Sequence, residues 1–258
     1  RFLLFGDQMD ITPGIAFNHY TDFGTHFFPG IDLGYAFNRQ FRVYGNIGST
    51  YRIPTYTDLY YSSPEISGNE NLKPESAVAT ELGLRYINTI FSFNAAYFIR
   101  NSENLIDYVK NTGDILWQAN NIQEVTTQGF EFETNINYVV AEQPQVLRLG
   151  YTYIDDDVKG VTQYEFSRYS INSLKNHFTL RSFNQWSNTI SSGIVLKVAE
   201  RTLGEPYTVL DFNAQWASPN KAFRITFLLN NLFDEVYTET NLVPMPERNG
   251  SLGVQFSF

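Results

Sequence analysis

Residues 129–138 read Gly-Phe-Glu-Phe-Glu-Thr-Asn-Ile-Asn-Tyr. Phe130, Phe132, Ile136 and Tyr138 fall on one side of an extended chain, and Glu131, Glu133, Asn135 and Asn137 fall on the other. Two carboxylates among four aromatic or aliphatic side chains at a period of two fit no amphipathic helix, whose apolar positions recur every three or four residues. The stretch therefore reads as a β-strand with one greasy and one charged face.

The same pattern recurs outward in both directions. Val78, Thr80, Leu82, Leu84 and Tyr86 oppose Ala79, Glu81, Gly83 and Arg85. Phe91, Phe93, Ala95, Tyr97 and Ile99 oppose Ser92, Asn94, Ala96 and Arg100, with Phe98 out of pattern. Leu210, Phe212, Ala214 and Trp216 oppose Asp211, Asn213 and Gln215, and Leu252, Val254, Phe256 and Phe258 oppose Gly253, Gln255 and Ser257. About twelve such segments of roughly ten residues are expected along the chain. Their connections alternate in length. Short turns are expected at 38–40, 87–89, 184–188 and 218–221, with a somewhat longer one at 139–145. Long loops are expected at 53–75, 101–121, 155–173, 199–206 and 232–247, all on one side.

Composition supports strands. The 258 residues include 22 Phe and 17 Tyr against 3 Trp and 2 Met, a balance that favours β-structure. The net charge of −9, with no run of Lys or Arg, excludes nucleic acid as a partner. Without cysteine there are no disulfides, thiolate metal sites or thiol nucleophiles. No apolar run approaches the roughly 18 residues of a membrane-spanning helix, but barrel strands hide their hydropathy because alternate residues face lipid. Strands near ten residues match a tilted bilayer crossing, longer than the five or six usual in a soluble β-sandwich, which remains the rival reading. Hydrocarbon admits only helices and closed barrels. The expected fold is all-β, a transmembrane antiparallel up-and-down barrel, with Tyr86 and Trp216 near its turn-side interface.

Three segments resemble the recurring signatures of TonB-dependent outer-membrane receptors. Tyr51-Arg52-Ile53-Pro54-Thr55 with Asp58-Leu59, then Gly68-Asn69 and Asn71-Leu72-Lys73-Pro74-Glu75, is similar to the family's arginine-proline and asparagine-leucine-lysine-proline-glutamate stretches flanking an extracellular loop. Gln128-Gly129-Phe130-Glu131, preceded by Asn120 and Asn121, resembles its glycine-aromatic-glutamate strand entry. Asn230-Asn231-Leu232-Phe233-Asp234 with Tyr237 resembles the stretch before its last strand, and the terminal Phe258 resembles the signal read by barrel-assembly machinery.

The resemblance implies a barrel of about 22 strands enclosing an N-terminal plug. Residues 1–258 are then expected to be its C-terminal portion, about twelve strands, with the plug and the other ten or so strands absent. A chain opening at Arg1, with neither an initiator Met nor a signal peptide, fits a fragment or processed product. Implied partners are the bilayer, the TonB-ExbB-ExbD complex acting through the missing plug, and a surface lipoprotein cap. The implied place is the outer membrane of a Gram-negative bacterium, with no enzymatic activity and no cofactor.

Implied cargoes are cobalamin or a ferric siderophore. Tyr56, Tyr60, Tyr61 and Trp117 offer flat apolar surface for a macrocycle, and Arg52 completes the candidate ligand set, which leans toward cobalamin. The same tyrosines equally suit packing among loops. Inward-facing Glu131, Glu133, Arg85 and Arg100 are expected to form a network against the plug. Asp155-Asp156-Asp157 offers oxygens of the kind calcium takes, but reads first as a solvated acidic loop. His19, His26 and His177 lack metal-pair spacing, so no metal is expected. His177 with Ser170 or Ser173 is the local hint of a hydrolase and carries no motif. A passive porin is the nearer rival.

Overall fold

The structure, a computed structural model, describes residues 1–159, 165–168, 174–202, 204–239 and 243–257, with backbone alone at 122–123. Its elements are β1 (Phe2–Leu4), β2 (Met9–Tyr20), β3 (Gly24–Ala36), β4 (Phe41–Arg52), α1 (Tyr56–Tyr60), β5 (Ile66–Ser67), β6 (Glu75–Ile87), β7 (Phe91–Lys110), β8 (Trp117–Val140), β9 (Gln143–Lys159), β10 (Phe166–Ser167), β11 (Leu174–Gln185), β12 (Ile190–Arg201), β13 (Tyr207–Ala217), β14 (Phe223–Asn230) and β15 (Asn249–Phe256). Hydrogen-bonded neighbours run β1-β2-β3-β4-β6-β7-β8-β9-β11-β12-β13-β14-β15. Spatial order is thus sequence order, the up-and-down meander that short connections dictate. The short β5 pairs in parallel with β8, and β10 pairs with β7. Twelve long strands behind a three-residue β1 match the strand count read from the pattern.

The chain divides into two compact units. The first comprises Arg1–Arg85, Ala95–Phe130 and Ile154–Ser173; the second comprises Tyr86–Asn94, Glu131–Tyr153 and Leu174–Phe258. In the first, β2, β3 and β4 pair in continuous register from Asn18↔His26 to Asp32↔Asn46. In the second, β11 to β15 pair in register from Phe178↔Val198 through Leu196↔Leu210 and Ala214↔Phe227 to Phe227↔Leu252.

Among the described residues neither unit has the core of a soluble sandwich. Seven of the eleven buried apolar residues described fall in two small clusters. Leu72, Ile106, Tyr108 and Ala119 make one; Ala199, Tyr207 and Val209 make the other. Both lie toward the long-loop ends of the strands. The alternating apolar face is instead open: Leu82 is 62% and Phe256 64% exposed. Water does not tolerate apolar patches on this scale, whereas hydrocarbon requires them. On the opposite, polar face close packing is achieved by pairing small with large residues. A Cβ on Gly83 would lie 2.3 Å from Cζ of Tyr44, whose ring covers it.

Three connections differ from the sequence reading. The turn expected at 139–145 is two residues, Ala141 and Glu142, with φ of 48° and 64°. Both φ values must be positive to match the strand twist in such a hairpin, and neither residue advertises it. The loop expected at 101–121 is largely strand: β7 has 20 residues and β8 has 24, well beyond the nine to eleven or so that cross a bilayer. Above that level both faces are wet, so pairing continues while the alternation that reveals it stops. The connection at 21–23 is short although it lies on the long-loop side. Phe258 lies outside the described residues.

The two faces differ in what they tolerate. Leu82→Arg is expected to cost about 2–4 kcal/mol if it sits near mid-bilayer, and Glu81→Arg beside it much less. Urea titration of protein reconstituted in phospholipid vesicles measures both.

Candidate functional site

The long loop between β4 and β6 is built from its neck. Arg52 ends β4 and Glu75 begins β6; the guanidinium donates twice to the Glu75 carboxylate, Nε to Oε2 and Nη2 to Oε1, each at 2.7 Å. Its Nη1 reaches Oδ2 of Asp58 at 3.3 Å. A two-pronged guanidinium–carboxylate contact fixes direction as well as distance. The hydrogen bonds and charge of Glu75, with Asp58, hold the Arg52 proton more tightly than usual. Oε1 of Glu75 also accepts from the Ile106 backbone at 2.7 Å, joining the neck to β7.

Above the neck Thr55 caps α1. Its Oγ1 accepts from the Asp58 amide at 3.2 Å and its own amide donates to Oδ2 of Asp58 at 2.9 Å, the reciprocal pair that satisfies two orphan amides. Asp58, buried, also accepts from the Tyr108 hydroxyl at 3.4 Å. The chain then recrosses α1 so closely that a Cβ on Gly68 would lie 2.8 Å from the carbonyl of Leu59. Only glycine passes there. Asn69 donates to the carbonyl of Ala119 at 3.1 Å, while Asn121 accepts from the Lys73 amide at 2.8 Å and donates to the carbonyls of Lys73 and Asn104. Leu72 is buried in the adjoining cluster, Pro54 is buried and Pro74 half-buried.

This scaffold determines where the candidate ligand residues lie. Tyr56 and Tyr60 project from α1 with ring centroids 5.1 Å apart, and Tyr61 follows. They are 78%, 52% and 47% exposed. Tyr60, Tyr61, Ser62, Asn69, Glu70 and Asn71 line one open depression. Arg52 and Trp117 are engaged differently. Arg52 serves the neck. Trp117 packs against the Leu72 cluster with Nζ of Lys110 4.6 Å above its ring. The structure thus gathers the tyrosines at the surface and commits the other two to the loop's support.

The third motif forms the foot of the last loop. Asn231, at φ 51°, is buried; its side chain accepts from the Glu235 amide at 2.9 Å and donates to the carbonyls of Glu235 and Pro246. The Leu232 amide donates to the Leu210 carbonyl, and Asp234 accepts from Arg248. Phe233 remains exposed. Further along, Tyr237 stacks on Tyr207 at 4.6 Å, and Nζ of Lys197 lies 4.9 Å from the Tyr237 ring. Lys197 also pairs with Glu239, which accepts from the Tyr207 hydroxyl at 3.0 Å. Burial alone would raise the Glu239 carboxyl pKa. Hydrogen bonds from Lys197 and Tyr207, with the charges of Lys197 and Arg201, outweigh it and hold the group below its ordinary value.

In β8, Glu131 and Glu133 line a polar depression with Arg148, Arg181 and His177. Arg148 and Arg181 escaped the sequence reading, which looked to Arg85 and Arg100, both in the first unit. Gly129 and Phe130 precede them in the strand. Asp155 and Asp156 are occupied by Gln128 and Thr127. Ser170 and Ser173 lie outside the described residues. The anchors Asp58, Tyr108 and Ala119 were also missed as partners, although the Thr55–Asp58 spacing of a capping box is legible.

Residues 3–232 match the family model described as TonB dependent receptor-like, beta-barrel. Among curated relatives, the vitamin B12 transporter BtuB of Vibrio vulnificus is 26% identical over 83% of this chain and 34% of its own length. The ferrienterobactin receptor of Escherichia coli is 21% identical over 89% and 35%. The chain therefore spans about a third of the length of the curated relatives it matches. Among solved structures, the siderophore receptor PirA from Acinetobacter baumannii superposes with a TM-score of 0.76 at 16% identity, over 98% of this chain and 44% of that one. The copper transporter OprC gives 0.69 at 17%, over 91% and 40%. At these identities the structures show a shared fold.

Two expectations follow from the neck and the last loop. Glu75→Gln removes the ionic half of the neck contact; with Arg52 side chain 45% exposed, the loss is about 1 kcal/mol, seen as faster proteolysis within 56–71 and unchanged strand protection. The Glu239 pairing is complete above the ordinary carboxylate pKa of 4.5 and is lost as pH falls through the lower folded value. Tyrosine fluorescence is expected to be flat from neutral pH to about 5 and to change below it, with no such step in Glu239→Gln.

Proposed function

Because the chain belongs to the TonB-dependent receptor β-barrel family, we propose that it forms the C-terminal part of the barrel of an outer-membrane active-transport receptor in a Gram-negative bacterium. The receptor binds a scarce nutrient complex at its extracellular face and imports it with energy delivered by TonB-ExbB-ExbD through a plug domain outside these residues. A surface lipoprotein caps the mouth. The polar face of the strands lines the lumen and the apolar face meets lipid. Transport by binding and release needs no catalytic group, so the protein is not an enzyme.

The observation that carries the reading is the neck-and-staple construction of the 53–74 loop. Buried charge, a cap and reciprocal asparagine bonds hold rigid a segment whose outermost residues are three open tyrosines. Rigid aromatic surface presented with little entropy to lose is what a binding loop needs. The cargo is cobalamin or a ferric siderophore, the classes named for its relatives. We favour cobalamin: the tyrosines supply flat apolar contact, and Arg52 and Lys110 are already committed to Glu75 and Trp117, which leaves exposed Lys73 as the loop's remaining cation. A polyanionic iron chelate would need such cations free.

Equilibrium binding of the purified full-length receptor to cobalamin and to a panel of ferric siderophores decides the cargo; binding of siderophores alone refutes the preference. Tyr56→Ala with Tyr60→Ala is expected to weaken the bound cargo about tenfold, or ~1.4 kcal/mol, leaving the thermal midpoint unchanged. Ion conductance by the reconstituted receptor without cargo would identify a passive pore instead.

A further inference from the structure

On the polar face of the second unit two arginines stand together without an acidic partner. Arg148 in β9 is directly opposite Arg181 in β11. Directly opposed residues on antiparallel strands share a face with Cα atoms about 4.5–5.5 Å apart, and like charges so placed destabilise the pairing. Among the described residues neither guanidinium enters an ion pair. Both are exposed.

Their surroundings are laid out for an oxygen anion. Two residues along the ladder Gly150 faces Thr179, whose hydroxyl lies 2.9 Å from where a Cβ on the glycine would be, and two residues further Thr152 faces His177, so the nearest neighbour of the two cations on this side is a hydroxyl. These residues line one depression. The arginines also line the next, whose walls include Val146, Phe183 and Val195. Phe183 is 47% exposed there, an apolar surface on a face that is otherwise polar. Glu131 and Glu133 border the first depression without joining an ion pair to either arginine among the described residues.

We propose that Arg148 and Arg181 form an oxyanion site on this face, taking one carboxylate or phosphate group whose apolar neighbour rests on Phe183 and Val146. Paired guanidiniums grip such groups from two sides with parallel N–H donors, and an anion between them removes their mutual repulsion. The oxyanion is a free solute or a carboxylate of the receptor itself; the chemistry is the same and the test separates them. The inference rests on the import reading only in making this face lumenal.

The test uses the full-length receptor in detergent, with Glu131 and Glu133 unchanged, as the parent. Citrate and inorganic phosphate are titrated by equilibrium binding, and thermal midpoints are recorded without added anion. If the source is a free solute, the parent binds citrate or phosphate, R148Q/R181Q binds at least about tenfold more weakly, and R148K/R181K keeps most of the affinity. If the source is a carboxylate of the receptor, the parent binds neither, R148Q/R181Q melts below the parent, and R148K/R181K melts close to it. Anion binding that R148Q/R181Q leaves unchanged overturns the proposal, as does absence of anion binding together with a glutamine variant that melts at or above the parent or with lysine and glutamine variants lowered alike. Failure of the import reading registers separately, as a receptor that binds neither cobalamin nor any ferric siderophore.

Discussion

The constraint on which the rest of the molecule depends is that backbone N–H and C=O groups in hydrocarbon have no water to bond. An antiparallel meander answers it by pairing each strand with its chain neighbour, and the short turns at 37–40, 88–90 and 141–142 make that pairing nearly unavoidable. Once the backbone is satisfied between strands, side chains are free to divide: every second one can be apolar at no cost to the ladder. The open Leu82 and Phe256 are then solvent-appropriate, the solvent being lipid. A chain this poor in buried apolar residues would have little to stabilise it in water.

The same division explains where packing does occur. The two buried clusters lie toward the long-loop ends, beyond the level at which alternation governs. There the chain is in water again and must stabilise its loops by ordinary means: Leu72 against Tyr108 and Ala119, Arg52 on Glu75, Asn121 on two carbonyls, Tyr237 on Tyr207. Burying Asp58 and Glu75 is costly unless their partners are fixed. Each has several, so the loop's conformation is specified by polar contacts of defined direction more than by apolar contact, which would tolerate sliding.

This contrast accounts for what the sequence revealed and what it hid. Strand number, order and facing were legible because period two is imposed by lipid along each crossing. The motif residues Arg52, Asn71–Glu75 and Asn231 were legible as positions, but their work was not: nothing in the order of residues says that Glu75 receives Arg52 rather than a ligand, or that Asn231 bonds Pro246 across fifteen residues. The extent of β7 and β8 was hidden for the opposite reason. Outside the bilayer both faces meet water, so the strand persists without its signature. The Ala141–Glu142 turn was legible in place, within 139–145, but its two-residue tightness was hidden because its left-handed φ values are imposed by the closing strands and not by residues that prefer them.

Function follows from the meeting of these two regimes. A sheet held by a closed ledger of backbone bonds resists deformation, and a loop clamped to it through Glu75 and Ile106 inherits that stiffness. In the proposed receptor, Tyr56, Tyr60 and Tyr61 would meet a cargo already ordered, so less of the contact energy would go into immobilising them. On the same proposal, release would not come from softening the wall, which would unpair it, but from movement of whatever fills the lumen, coupled to the wall through polar contacts that can be made and broken. The polar face, with Glu131, Glu133, Arg148 and Arg181 gathered in one depression, is where a sheet of this kind can afford such contacts, because its lipid side offers no charge and its ladder bonds are already committed.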